Sequence, residues 1–136
     1  MLHDFKNARL ALAVALSCAI ASAAQSAPRS QLQRDVEGYA VAACLTLQEP
    51  DVLKDQGDGW ASIIVQRGFG NVEDWHPLID AVTAAVKSKP VAVIKGDGVT
   101  LKQMPIFYCA EIIDQPEVRA EIERTMEKMK PAYHGR

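Results

Sequence analysis

Two cysteines, Cys44 and Cys109, and two histidines, His76 and His134, are the side chains with reactive potential in the body of the chain. His76 lies near Asp74 and Asp80, so a Cys–His–Asp nucleophile can be imagined with either cysteine. Such a system needs an activated thiolate, and a thiol on a buried helical face is inert or oxidised instead. Both cysteines fall on predicted faces of that kind. A zinc site lacks the short C-x-x-C or H-x-H spacing that makes such sites credible. Lys95-Gly96-Asp97-Gly98 has neither the glycine spacing nor the following Lys-Ser/Thr of a phosphate loop. His134 stands in the expected C-terminal tail. These residue types predict no enzyme, no metal and no cofactor.

The elements that position the cysteines are two amphipathic segments. In residues 104–114, Pro105 suits a first helical turn. Ile106, Cys109, Ala110 and Ile113 then repeat at i, i+3, i+4 and i+7. In the earlier segment Val36, Tyr39, Ala40, Ala43, Cys44 and Leu47 repeat in the same way. A bond between the two thiols would staple the first helix to the fourth.

The N-terminus bears on whether that bond forms. Lys6 and Arg9 precede a short apolar run over 10–20, and Ala21-Ser22-Ala23-Ala24 follows. This is the plan of a secretory signal peptide, expected to be removed as residues 1–24. The run is short of the roughly 20 residues that span a bilayer. Lipidation at Cys18 is the weaker alternative, because Ala15 stands where a lipidated cysteine usually has leucine. Removal takes away Lys6, Arg9, Asp4 and Cys18 and moves the formal charge from −2 to −3. No basic stripe suggests nucleic acid. The remaining cysteine pair, in an oxidising compartment such as the periplasm, reads as one disulfide.

Residues 25–31 are expected to be a flexible tail and 32–136 a single helical domain. The first helix runs over about 32–47 and stops near Pro50. Gly57-Asp58-Gly59 reads as a turn, with Asp58 or a neighbour capping a second helix through Trp60, Ile63, Ile64 and Arg67. Gly68 and Gly70 end it. Asp74 is the expected N-cap of the third helix, with Pro77 in its first turn and Leu78, Ile79, Val82, Ala85 and Val86 as its apolar stripe. Val91, Val93 and Ile94 can face Val99 and Leu101 across residues 95–98, as a short hairpin or a projecting loop before the fourth helix. Asp114 and Glu117 resemble a capping box for a last helix carrying Val118, Ile122, Met126 and Met129. Trp60 and Trp75 are expected to be core or packing residues rather than ligand platforms. Phe107 and Tyr108 point off the Cys109 face, toward a second helix or a self-association surface. The class is all-α, a small bundle of about five helices with one interhelical disulfide.

Taken together, these residues resemble the type VI secretion amidase immunity protein family. The likeness covers residues 39–129. It rests on Tyr39-Ala40-x-x-x-Cys44-Leu45, Trp60-Ala61, a helix rich in Val and Ala, a lysine-bearing loop, and Met104-Pro105-x-x-x-Cys109. The resemblance implies a small helical periplasmic protein that binds a peptidoglycan amidase delivered by neighbouring cells. It further implies a homodimer that pushes a loop into the cleft of a cysteine–histidine amidase. By position that loop is 89–102, with Lys95 and Asp97 as polar contacts, Val93 and Ile94 as apolar anchors, and Gly96 and Gly98 shaping the tip. The other readings are a periplasmic inhibitor or binding protein for another wall hydrolase, such as a lysozyme, and a structural or stress-related helical protein.

Overall fold

A computed structural model describes residues 27–67, 69–96, 98 and 101–134. The expected signal peptide with Cys18 lies outside the described residues, as do Gly68, Asp97 and Val99. Among the described residues the fold is all-α, with five helices and one two-stranded ribbon.

The spine is α1 (Gln31–Thr46), which touches α2, α3, α4 and α5. Its start is set by Ser30, whose hydroxyl accepts from the Gln33 N–H at 3.1 Å. Val36, Ala40 and Cys44 are fully buried on it, against Leu78 and Val82 of α3 (His76–Ser88) and Val118 and Ile122 of α5 (Pro116–His134). Each large apolar side chain taken from water contributes about 1.5–3 kcal/mol.

The expected turn at Gly57-Asp58-Gly59 is absent, because α2 (Asp51–Gln66) runs straight through it. The cause is tertiary. A Cβ on Gly57 would lie 2.6 Å from the Ala42 carbonyl oxygen and 2.8 Å from the Thr46 nitrogen. Glycine therefore lets the backbones of α1 and α2 touch, and that contact offsets its helix penalty of about 1 kcal/mol. Gly57→Ala is expected to lower stability by about 1–3 kcal/mol through overpacking. Gly59, with open space around it, predicts the opposite sign: Gly59→Ala gains up to about 1 kcal/mol. Urea unfolding of the two variants reads both.

The tryptophans separate. Trp75 is 1% exposed and stacks on Tyr39 at 4.4 Å between ring centroids. Trp60 is a packing residue at the surface, 41% exposed, its indole lying over Gly38 of α1.

A 3-10 turn, Val72–Trp75, capped by Asn71, leads into α3, whose N-cap position is Trp75 rather than Asp74. The Asp74 carboxylate accepts from the Asn71 N–H at 3.3 Å and pairs with Lys128 of α5 at 2.7 Å. Pro77 does sit in the first turn of α3. At the start of α5, Asp114 belongs to a second 3-10 turn, Ile112–Asp114, and pairs with Arg119 instead of capping. Gln115 occupies the capping position, its carbonyl accepting from the Arg119 N–H at 2.8 Å. The helix then passes through Pro131 to His134, where a loose tail was expected. Tyr133 holds that last turn by donating to Asp35 at 2.9 Å and stacking on Phe69 at 4.3 Å.

Candidate functional site

The staple forms: Cys44 and Cys109 are bonded, with their Cα atoms 5.5 Å apart, and both are fully buried. It fastens α4 (Pro105–Glu111) to α1. The buried face of α4 is Tyr108 and Cys109, continued by Ile112 of the following 3-10 turn, whereas Ile106 and Ala110 of the expected face are exposed. Tyr108 donates its hydroxyl to the Lys89 carbonyl at 3.1 Å. That bond and the disulfide together roll the helix away from its sequence-expected face. Seven residues are too few for a helix to persist alone in water, so α4 depends on these ties.

The residues immediately before α4 form the ribbon of β1 (Val93–Ile94) and β2 (Lys102–Gln103). Val93 pairs with Gln103 and Ile94 with Lys102, antiparallel. The partners of Val93 and Ile94 are thus Gln103 and Lys102 rather than the expected Leu101, and Val99 lies outside the described residues. The register is set from the α4 end, where the Met104 N–H donates to the Ala92 carbonyl at 2.8 Å. At the tip Gly98 adopts φ +71, a left-handed conformation that glycine takes without strain.

Lys95, Gly96 and Gly98 are exposed, and Asp97 lies outside the described residues. The apolar members face water too. Val93, Ile94, Leu101, Ile106 and Phe107 are each at least 40% exposed, Ile106 reaching 65%. Scattered surface leucines are unremarkable, but five such residues within one short stretch form the kind of patch that marks an interaction surface. An exposed apolar stretch of this kind is suited to docking.

A second assembly, absent from the sequence reading, lies on the N-terminal half of α1. Asp35 and Glu37 are both buried. Asp35 pairs with Arg67 and accepts from Tyr133 at 2.9 Å and Gln31 at 2.7 Å. Glu37 accepts from Arg29 and Arg119, both at 2.9 Å, and from Gln33 at 3.1 Å. Burial pushes the Glu37 carboxyl up, yet the bonds from Gln33, Arg119 and Arg29 outweigh it and hold the group below its ordinary value of 4.5. Burial, reinforced by the bond to Asp35, pushes the Tyr133 hydroxyl above its ordinary range. These two carboxylates floor a cleft of about 340 Å³ with Arg34 and Trp60 at its walls.

The depressed value at Glu37 fixes a pH dependence. The folded state binds this proton more weakly than the unfolded chain, so its contribution is present above the unfolded pKa and lost as pH falls through the folded one. Stability is expected to drop below about pH 5. A Glu37→Gln variant should show a shallower drop in urea midpoints measured across that range.

The residues considered for catalysis do not assemble. Cys44 and Cys109 are each other's partners, His76 is exposed on the first turn of α3, and Asp74 is paired with Lys128. Among the described residues no group of three or more His, Cys, Asp or Glu side chains is placed to hold a metal ion. None of their helices is long and apolar enough to cross a membrane. Comparison of the chain with protein-family models, with curated proteins and with solved structures finds no match.

Proposed function

We propose that the protein is a periplasmic immunity protein that inhibits a type VI secretion peptidoglycan amidase by inserting the 93–103 ribbon into its active-site cleft. The observation that carries the docking half of this reading is the exposed apolar stretch from Val93 to Phe107, held out by a disulfide-tethered α4. A two-stranded ribbon alone is marginal in water. Tied at Lys89, Ala92 and Cys109, it loses less entropy on binding than a free peptide would. Val93 and Ile94 supply the apolar anchors, and Lys95 and Asp97 the polar contacts. The amidase as partner rests on the resemblance across residues 39–129, as does the homodimer. The exposed Val52 and Ile63, spaced to share the outer side of α2, offer apolar surface for a second copy.

Ile94→Asp tests the ribbon. It changes an exposed residue, so the fold should persist, while a charge placed in an apolar contact should weaken amidase binding about tenfold or more. Unchanged affinity in the folded variant would exclude the ribbon as the binding element. Inhibition of a lysozyme instead of an amidase would favour the other wall-hydrolase reading.

A further inference from the structure

The cleft between α1 and α2 carries an inference independent of the ribbon. Its two buried carboxylates are fully engaged. Arg29 and Arg119 both donate to Glu37, and Arg67, Gln31 and Tyr133 all donate to Asp35. Arg34 is different. It is exposed, and among the described residues its guanidinium donates only to neutral acceptors, the Arg29 carbonyl and the Gln31 side-chain oxygen at 2.7 Å. A guanidinium has five N–H donors, so more than half of those on Arg34 remain for a ligand. Among the charged side chains lining the cleft, Arg29, Arg34 and Arg67 face Asp35 and Glu37, which leaves an excess of one positive charge.

Trp60 lines the same cleft. Its indole rests over Gly38, where a Cβ would lie 3.1 Å from the ring, and stays 41% exposed. An open aromatic surface lining the same cleft as a guanidinium with unspent donors is suited to a flat apolar body carrying one negative charge. The volume, about 340 Å³, is at the small end of ligand pockets, which run from about 300 to 1,000 Å³. One excess charge matches a carboxylate better than a phosphate dianion.

We propose that this cleft binds a small monoanionic carboxylate, with Arg34 receiving the carboxylate and Trp60 the apolar body. Two indole N–H signals are expected from the full-length oxidised protein in proton–nitrogen NMR, one from exposed Trp60 and one from buried Trp75. Trp60→Phe assigns them. Benzoate is the probe, with benzamide and inorganic phosphate as controls. Benzoate should shift the Trp60 signal saturably, and benzamide, which has the same ring without the charge, should not. Arg34→Gln, whose loss breaks no ion pair among the described residues, should weaken benzoate binding about tenfold or more. Equal binding of benzamide, phosphate binding as tight as benzoate, or an unchanged Arg34→Gln titration would each overturn the assignment. So would the absence of any Trp60 shift in the wild-type protein. None of these results depends on whether the ribbon binds an amidase.

Discussion

Cys44→Ala is expected to lower the unfolding free energy by about 2–5 kcal/mol. The bond closes a loop spanning 65 residues in sequence, and loop-closure entropy for that length gives roughly 4 kcal/mol. A domain of this size has a total stability of about 5–15 kcal/mol, so the loss is a large share of the whole. The effect should also be uneven. α4 has seven residues and few ties besides the disulfide, so its amides and those of the ribbon should exchange fastest in the variant. Denaturant unfolding of oxidised wild type against Cys44→Ala reads the first effect, and hydrogen exchange reads the second. An oxidised wild type that unfolds at the same midpoint as the variant would contradict the staple. Equal exchange protection of α4 in both would contradict its dependence on the bond.

Asp35→Ala is the second large effect. The Asp35 side chain is 1% exposed and joins three elements: α1, which carries it, Arg67 at the end of α2, and Tyr133 in the last turn of α5. Removing one partner of a buried pair costs about 3–5 kcal/mol when the other charge stays buried. Arg67 is 40% exposed and can regain water, which places the expected loss near the lower bound, about 3 kcal/mol. Asp35→Asn, which keeps acceptor and donor atoms but loses the charge, should lie between wild type and alanine. Thermal unfolding of the three proteins gives the order. If alanine and asparagine were equally destabilised, the charge would be carrying the effect rather than the hydrogen bonds.

What the sequence disclosed follows from the range of the forces involved. Helical periodicity is local, and it marked α1, α3 and α5 and both members of the disulfide. Gly57 shows where local reasoning stops. A Gly-Asp-Gly triplet resembles a turn, and only the Ala42 carbonyl, from another helix, explains why the chain stays helical there. In α4 and the 3-10 turn after it, the apolar residues Ile106, Phe107, Tyr108, Cys109, Ile112 and Ile113 fall on nearly every side, so periodicity alone could not choose the face. The Tyr108–Lys89 bond and the disulfide chose it. The ionic floor of the cleft was the least legible feature. Asp35 and Arg67 are 32 residues apart, and Glu37 and Arg119 are 82 apart. The one local signal was a pair of acids flanking Val36 on an otherwise apolar stripe.

The ribbon and the cleft assign separate tasks to two parts of one helical frame. α1 serves both, holding α4 through Cys44 and flooring the cleft with Asp35 and Glu37. Variants in one part should therefore leave the other intact, provided the disulfide is retained.

The most direct measurement is a titration of a type VI secretion peptidoglycan amidase, the partner proposed above, with the oxidised protein, reading binding and wall hydrolysis together. The account predicts stoichiometric inhibition by the wild type and its loss in Ile94→Asp. No binding by the folded protein, or inhibition that survives Ile94→Asp unchanged, would contradict it.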